Sequence, residues 1–95
     1  MIVVVEYLLR FKDITGKDKE EVVLGSNAVL KDVIELLSSK YGEAFTREFS
    51  NPSNDAIGGR VLILLNGHTM RLPDDLTRPV SDGDVITIMH MVEGG

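Results

Sequence analysis

The sequence predicts an α+β domain in which one main helix packs on one face of a mixed sheet of four to five strands. Segments with the period-two or continuous apolar patterning of strands occupy both ends of the chain. Between them, residues 29–41 carry apolar side chains at the i, i+3, i+4, i+7 spacing of an amphipathic helix. A length of 95 residues, with 43% hydrophobic and 26% charged residues, fits one compact domain.

Two strands joined by a turn are predicted in the first quarter of the chain. A β-branched run followed by period-two alternation predicts a half-buried strand over Met1–Phe11. The side chains expected on its core face are Val3, Val5, Tyr7, Leu9 and Phe11. Residues 15–18 predict a turn in which Gly16 takes a positive φ, and Glu20–Leu24 predicts the second strand. The two strands are therefore expected to form a hairpin.

The main helix is expected over Val29–Tyr41, because the apolar residues of this segment form one continuous stripe. Ser26 or Asn27 can cap the start of the helix, and Gly42 can end it. A shorter helical turn is predicted over Ala44–Phe49. This arrangement leaves one face of the sheet for the helix to cover.

The second half of the chain predicts an exposed loop and a pair of strands. Polar residues, proline and glycine over 50–59 predict the loop. The almost wholly apolar run over Arg60–Asn66 predicts a strand at the centre of the sheet, covered on one face by the helix. Asn66-Gly67 is a strong signal for a type I′ turn, which leads into a short strand over His68–Leu72.

The last strand is expected over Val85–Met91, after acidic turns at residues 73–75 and 81–84. The order strand, strand, helix, strand, short strand, strand is that of the β-grasp fold. We therefore expect a ubiquitin-like β-grasp domain over residues 1–91, followed by a flexible diglycine tail over residues 92–95.

Composition argues against several functional classes. The formal net charge is −5, and the scattered lysines and arginines form no basic cluster, so nucleic-acid binding is not expected. The absence of cysteine excludes disulfides, thiolate metal sites and a cysteine nucleophile. The apolar stretches are too short to span a membrane, and the N-terminus lacks a signal-peptide pattern, so a cytoplasmic protein is expected.

No conventional catalytic or metal site is predicted. His68 and His90 lie far apart without a nearby carboxylate pattern, and a lone strand histidine is most simply a surface or half-buried residue. The aspartates of residues 74–75 and 82–84 are most simply turn and cap residues rather than calcium ligands.

The end of the chain, Gly94-Gly95, carries the strongest functional signal. Two residues without a Cβ can thread a narrow channel and adopt almost any backbone conformation. An extended tail of four residues reaches roughly 13–14 Å, so a partner's site can receive the Gly95 carboxylate while the globular body stays outside. Once adenylated, that carboxyl can accept sulfur as a thiocarboxylate or be attacked by a lysine amine to form an isopeptide.

An apolar docking surface is expected beside the tail. Parity along the last strand places Ile86 and Ile88 in the core, which turns Met89 and Met91 outward. Leu8 has the outward parity of the first strand. Exposed apolar patches mark interaction surfaces, and methionine adapts to different partners. The alternative is that parity slips near the end of the strand and both methionines lie in the core.

The sequence resembles the MoaD/ThiS group of ubiquitin-like sulfur carriers, and within it the molybdopterin synthase small subunits most of all. The resemblance covers nearly the whole chain. It is carried by Tyr7–Lys17, Ala28–Leu37, Leu64–Gly67, Leu76–Val85 and Gly94-Gly95. The Asp-Gly-Asp turn that runs into a strand ending in Gly-Gly is its most specific part. His90-Met91 stand where family members often have two prolines, and the loop at 50–59 is longer than in the shortest members.

The resemblance implies that an E1-like enzyme of the MoeB/ThiF type uses ATP to adenylate the carboxyl of Gly95, and that sulfur then replaces the adenylate. It also implies a second partner, a molybdopterin synthase large subunit of the MoaE type, into which the Gly94-Gly95 tail inserts to donate sulfur to a pterin precursor. The chain is then a carrier with no catalytic residue, no metal and no permanently bound cofactor, rather than an enzyme. The implied partner-docking residues are Leu8, Met89, Met91 and Val92.

Two other functions are compatible with the sequence. One is a ubiquitin-like protein modifier that is conjugated to lysines through Gly95, as the resemblance to small archaeal modifier proteins implies. The other is a plain interaction module in which Leu8, Met89 and Met91 bind a partner and the tail has no chemistry. Deletion of Gly95 separates the carrier and the modifier, which both require this residue, from the interaction module.

Overall fold

The computed structural model describes residues 1–49 and 61–90, which form a five-stranded sheet with helices packed on one face. The elements in chain order are β1 (Ile2–Tyr7), α1 (Arg10–Thr15), β2 (Lys19–Val23), α2 (Leu30–Tyr41), α3 (Glu43–Phe49), β3 (Val61–Leu65), β4 (His68–Met70), a 3-10 turn (Asp74–Thr77) and β5 (Val85–His90). The predicted loop at 50–59 and the predicted tail at 92–95 lie outside the described residues.

The strand order across the sheet is β2-β1-β5-β3-β4. β1 pairs antiparallel with β2 and parallel with β5, and β3 pairs antiparallel with both β4 and β5. This mixed sheet with helices on one face confirms the predicted α+β β-grasp architecture. The middle strand of the sheet is β5, and β3 lies beside it with a partner on each side, so the apolar run over residues 60–66 forms an interior strand as predicted. The predicted hairpin exists as the β1–β2 pair, but α1 stands between its strands.

Alternate residues of β1 and β5 build the core against the main helix. Val3 and Val5 on β1 and Ile86 and Ile88 on β5 are fully buried. The residues of α2 that are fully buried against them are Leu30, Val33 and Leu37. The parity predicted for the last strand is therefore confirmed for its core-facing residues.

The first strand ends earlier than its alternation predicts. Leu9 has φ 56° and ψ −128°, and the Phe11 amide donates to the Leu8 carbonyl at 3.2 Å, which is the pattern of a type II′ turn. The chain then enters α1. The prediction of Leu9 as a core residue is wrong, since Leu9 is 51% exposed, whereas Phe11 is buried from the helix rather than from a strand. The position with positive φ is Leu9 rather than a glycine, so the sequence contains no local signal that predicts this turn.

The capping of α2 also differs from its prediction. The backbone amide of Val29, the N-cap residue, donates to Asp32 Oδ2 at 2.8 Å. A carboxylate in the first turn of α2 therefore accepts the hydrogen bond of the N-cap amide. Ser26 and Asn27 lie too far upstream to cap it, and that prediction is wrong. Gly42, at φ 76°, ends the helix as predicted.

The predicted turns at the ends of the later strands are confirmed. Asn66 and Gly67 both have positive φ, at 51° and 86°, as a type I′ turn requires. Asp82 Oδ1 accepts the Ile2 amide at 2.7 Å, and Asp84 Oδ2 accepts the Ser81 amide at 2.7 Å. These aspartates satisfy backbone donors in turns, as the sequence indicates. Within residues 1–49 and 61–90, no helix has the length and apolar character needed to cross a bilayer.

Candidate docking face and the base of the C-terminal tail

The sheet face opposite the helices carries an apolar row at the end where β5 leads to the C-terminal residues. The Leu8 amide donates to the Ile88 carbonyl at 3.0 Å, which continues the parallel β1–β5 register and brings Leu8 beside Met89. Met89 in turn pairs with Leu62 of β3. We call these three residues, Leu8, Met89 and Leu62, the apolar row. Leu8 is 42% exposed and the other two are half-buried.

On β2, β1 and β5 a polar row borders the apolar row on the same face, and on β3 it ends at the half-buried Leu64. Glu6 pairs with Thr87, and the Thr87 hydroxyl donates to Glu6 Oε1 at 3.2 Å. Lys19 of β2 lies next to Glu6 and is exposed. An apolar patch with a polar rim is the usual composition of a protein interaction surface. The far end of this face has a separate pair of exposed apolar residues, Val23 and Ile2, which are 72% and 43% exposed.

The structure brings together two of the docking residues that the sequence proposes and adds a third. Leu8 and Met89 are neighbours on the open face, and no slip of parity occurs at Met89. Leu62 is not among the residues that the sequence predicts. The signal that could have found it is that the strand is apolar on both faces, which is typical of a strand whose outer face is covered by another surface. Met91 lies outside the described residues, and so do Val92, Gly94 and Gly95.

A buried carboxylate anchors the end of β1 from the core side. The hydroxyls of Tyr7 and Tyr41 both donate to Glu20 Oε2. Lys40 and Lys17 contact the other oxygen, Glu20 Oε1, with the Lys17 ammonium at 3.1 Å. The Glu20 side chain is only 8% exposed, so four donors from three parts of the fold meet a desolvated negative charge. This contact fixes the last residue of β1.

The Glu20 contacts determine the protonation of the network. Burial opposes ionisation of Glu20, but the hydrogen bonds from Lys40, Tyr41, Tyr7 and Lys17 outweigh burial and lower its pKa to about 2. Burial, followed by the hydrogen bond to the Glu20 carboxylate, raises the pKa of Tyr7 and of Tyr41 above its ordinary value. At neutral pH the carboxylate is therefore charged and both phenols remain neutral donors.

A second buried polar contact lies at the end of β5. His90 is 8% exposed, and its Nε2 lies 2.8 Å from Glu48 Oε1. Arg10 Nε lies 3.3 Å from the other Glu48 oxygen. The imidazole stacks on Phe11 with ring centroids 4.7 Å apart and planes 17° apart. His90 Nδ1 is buried and meets no hydrogen-bond partner among residues 1–49 and 61–90.

The expectation of a surface or half-buried histidine is thus wrong for His90, while His68 is exposed. The parity that buries Ile86 and Ile88 extends to His90, and this signal could have found it. Its partners could not be found in that way, because they come from two short helices. Across residues 1–49 and 61–90, no group of three or more His, Asp or Glu side chains is arranged to hold a metal ion.

Comparison with known proteins assigns a family to this fold. The ThiS family model matches residues 5–95. A putative molybdopterin converting factor subunit 1 from Pyrococcus furiosus has a TM-score of 0.75 and 26% identity, over 97% of this chain and 99% of that one. The small archaeal modifier protein 1 from Methanosarcina acetivorans has a TM-score of 0.75 and 24% identity, over 99% of this chain and 96% of that one.

A third solved structure is a complex. It contains subunits 1 and 2 of the molybdopterin-converting factor from Helicobacter pylori; the matching chain has a TM-score of 0.65 and 24% identity, with full coverage of both chains. Among curated protein sequences, none matches this chain. The last two structures support the fold, and the family model covers all but the first four residues. The chain therefore belongs to the ThiS family of ubiquitin-like sulfur carriers, as its resemblance predicts.

Proposed function

We propose that this chain is a sulfur carrier for molybdopterin synthesis and that it is loaded at the carboxyl of Gly95. The observation that carries the proposal is the position of the apolar row at the end of the sheet from which β5 leads to Gly94-Gly95. Five residues follow His90, and fully extended they span at most about 17–18 Å. A partner that binds the row is therefore within reach of the terminal carboxylate.

The proposed chemistry takes place in partner enzymes. In an E1-like enzyme of the MoeB/ThiF type, a Gly95 carboxylate oxygen attacks the α-phosphorus of ATP and pyrophosphate leaves. A hydrosulfide ion supplied by the partner system then attacks the acyl-adenylate carbonyl, so that a C–S bond forms, the C–O bond to the phosphate breaks and AMP leaves; loss of the sulfur proton gives the thiocarboxylate. The resulting thiocarboxylate donates its sulfur to a pterin precursor in a large subunit of the MoaE type. Family membership and the two-subunit Helicobacter pylori complex support this assignment.

The contribution of this chain to that chemistry is binding and presentation. Leu8 and Met89, with Leu62 beside them, supply an apolar surface. Removal of this surface from water by a bound partner is favourable in free energy, because the side chains have no polar groups to desolvate. Met91 and Val92 would extend that surface toward the tail. No residue of the chain needs to act as an acid, a base or a nucleophile other than the terminal carboxylate itself.

Intact mass spectrometry tests the proposal directly. The chain is incubated with the E1-like enzyme of its own organism, ATP and a sulfur donor. We expect a mass increase that matches replacement of one oxygen by sulfur, located at Gly95 by fragmentation. A variant that lacks Gly95 is the matched control and is expected to stay unmodified. A wild-type chain that keeps its plain carboxylate under sulfur-replete conditions would contradict the proposal.

The same preparation distinguishes the other two functions. Gly-Gly remnants on lysines of other proteins after digestion would identify a protein modifier conjugated through Gly95. Unchanged cellular function after deletion of Gly95 would identify a plain interaction module. A thiocarboxylate without lysine conjugates is the result expected for the sulfur carrier.

A further inference from the structure

We propose that Asn66-Gly67 is a site of spontaneous deamidation, and that contacts of the Asn66 side chain with the start of β5 hold it unreactive while the domain is folded. The inference is independent of the proposed function, because it concerns the turn between β3 and β4 rather than the apolar row or Gly95. Of the four asparagines in the sequence, only Asn66 precedes a glycine. Both residues of the pair are exposed, so water reaches the reacting groups.

The reaction requires only the peptide and water. The backbone nitrogen of Gly67 attacks Asn66 Cγ, so that an N–C bond forms, the Cγ–Nδ2 bond breaks and ammonia leaves with the Gly67 amide proton. Water then adds to either carbonyl carbon of the five-membered succinimide and breaks its bond to the Gly67 nitrogen, which regains a proton. The product is an aspartate or an isoaspartate at position 66. Glycine favours the first step, because it has no Cβ to crowd its nitrogen.

Both polar atoms of the Asn66 side chain have partners at the start of β5. Asn66 Oδ1 accepts the Val85 amide at 2.9 Å, and Asn66 Nδ2 donates to Asp84 Oδ1 at 3.0 Å. A backbone N–H meets the oxygen and an ionised carboxylate meets the NH2 group, so these partners fix the orientation of the side-chain amide. The Asn66 backbone amide also donates to the Val85 carbonyl at 2.8 Å. Asn66 is therefore bound to its neighbour in the sheet through both its main chain and its side chain.

These contacts oppose the attack by Gly67. Rotation of Asn66 Cγ toward the Gly67 nitrogen breaks both side-chain hydrogen bonds, one of which has a charged acceptor. The backbone is held as well, since Asn66 at φ 51° and Gly67 at φ 86° form the type I′ turn. Deamidation therefore proceeds from locally opened molecules, at a rate set by how often the turn separates from β5.

The reaction replaces a hydrogen-bond donor by an acceptor where the turn meets β5. With an aspartate at position 66, a carboxylate oxygen occupies the place of Nδ2, which lies 3.0 Å from Asp84 Oδ1. The hydrogen bond is lost and the two negative charges repel each other. An isoaspartate also adds one carbon to the main chain of a two-residue turn, which disturbs the pairing of Leu65 with His68. Deamidation therefore weakens the attachment of the β3–β4 hairpin to β5.

The rate of deamidation at neutral pH tests the inference. Intact mass spectrometry follows the replacement of an NH2 group by OH, and peptide mapping locates it at Asn66. Asp84→Ala removes the acceptor of Nδ2. Asp82→Ala is the matched control, because its carboxylate accepts the Ile2 amide in the same turn and does not contact Asn66. We expect folded Asp84→Ala to deamidate about tenfold faster than the folded wild type, and Asp82→Ala to match the wild type.

The same proteins unfolded in urea give the reference rate. All three unfolded chains are expected to react alike, and faster than the folded wild type. A folded wild type that reacts as fast as its unfolded chain would show that the contacts give no protection. Equal acceleration in Asp82→Ala would assign the effect to general loosening of residues 81–84. Either result, or a folded Asp84→Ala that reacts no faster than the wild type, would overturn the inference.

An exchange of the two side chains tests the contact without a rate measurement. Asn66→Asp reproduces the aspartate product and is expected to lower the urea midpoint of unfolding. In the double variant Asn66→Asp with Asp84→Asn, the amide at position 84 donates to the carboxylate at position 66. Its oxygen can still accept the Ser81 amide, which Asp84 Oδ2 accepts at 2.7 Å. We expect the midpoint to return most of the way to the wild-type value. A double variant no more stable than Asn66→Asp would refute the contact, even if Asp84→Ala does not fold.

Discussion

Glu20→Gln is expected to destabilise the domain at neutral pH by up to about 3 kcal/mol. Glutamine has nearly the shape of protonated glutamic acid, so the substitution isolates the contribution of the negative charge. That charge is surrounded by two ammonium groups and two phenol hydroxyls, and the side chain is only 8% exposed. The two phenol contacts are partly buried, whereas the Lys17 and Lys40 side chains are 43% and 46% exposed, so solvent screens the ammonium contacts in part and about 3 kcal/mol is an upper value. The loss of these contacts should be measurable as a change in the free energy of unfolding.

The magnitude follows from the pKa of Glu20. The contacts lower this pKa from its ordinary value of 4.5 to about 2, and 1.36 kcal/mol for each pKa unit gives about 3 kcal/mol. Because the folded-state pKa is the lower one, the stabilisation is fully present above about pH 4.5. It is lost as the pH falls toward 2, and about half of it remains at pH 3.

Urea unfolding between pH 7 and pH 3 measures this effect. The difference in unfolding free energy between wild type and Glu20→Gln should be largest above pH 5 and should shrink to about half at pH 3. Glu21→Gln is the matched control, since this neighbouring residue is exposed on the other face of β2. A difference that does not change with pH would show that the ionised carboxylate is not the source of the stability.

The remaining predictions concern the docking face and two strained turns. If the proposed E1-like partner binds the apolar row, Leu8→Asp and Met89→Asp should each weaken that binding by about thirtyfold or more in calorimetry, as expected of central interface residues. Val23→Asp, on the same face but outside the apolar row, should bind like the wild type. Leu9→Gly should raise the free energy of unfolding by about 0.5–1 kcal/mol, because it relieves a positive φ at an exposed side chain. Gly67→Ala should lower it by about 1–2 kcal/mol, because it introduces the same strain at φ 86°; thermal unfolding that moved both variants in one direction would contradict the assignment of strain.

The parts of the fold that the sequence predicts correctly are those with a strong local signal. The apolar stripe of α2 has a period that only a helix fits, and Asn66-Gly67 has the two residue types that tolerate positive φ. The alternation of Ile86 and Ile88 fixes the faces of β5, and with them the outward direction of Met89. Each of these signals lies within one element and needs no tertiary information.

The first strand shows where such local reasoning fails. Tyr7, Leu9 and Phe11 alternate as in a strand, yet the chain turns at Leu9 and continues as a helix. Tyr7 and Phe11 are both buried in either arrangement, so the burial pattern alone does not separate the two. What decides is a tertiary contact, since Phe11 packs on Phe45 and His90 only if α1 forms.

The candidate site divides in the same way. The sequence places Leu8 and Met89 on the outward face, because side-chain alternation along a strand is a local property. The parallel pairing of β1 with β5 makes them neighbours, and that pairing joins residues about 80 positions apart. The contact between His90 and Glu48 also depends on long-range tertiary structure, since the two residues are 42 positions apart. Glu48 lies in a short helix that has little periodic signal in the sequence.

The two buried polar contacts occupy equivalent places behind the apolar row. Tyr7, bound by Glu20, directly precedes Leu8, and His90, bound by Glu48, directly follows Met89. Because β1 and β5 are parallel neighbours, both contacts lie at the same end of the sheet, on the face opposite the row. Burying a polar group costs desolvation free energy that an apolar core avoids. Its hydrogen bonds, however, are satisfied in only one arrangement of the surrounding elements. A carrier whose chemistry occurs in other proteins depends on how rigidly it presents its surface. Both contacts therefore lie directly beside the proposed docking residues, where a rigid strand end would hold the apolar row in one arrangement for a partner.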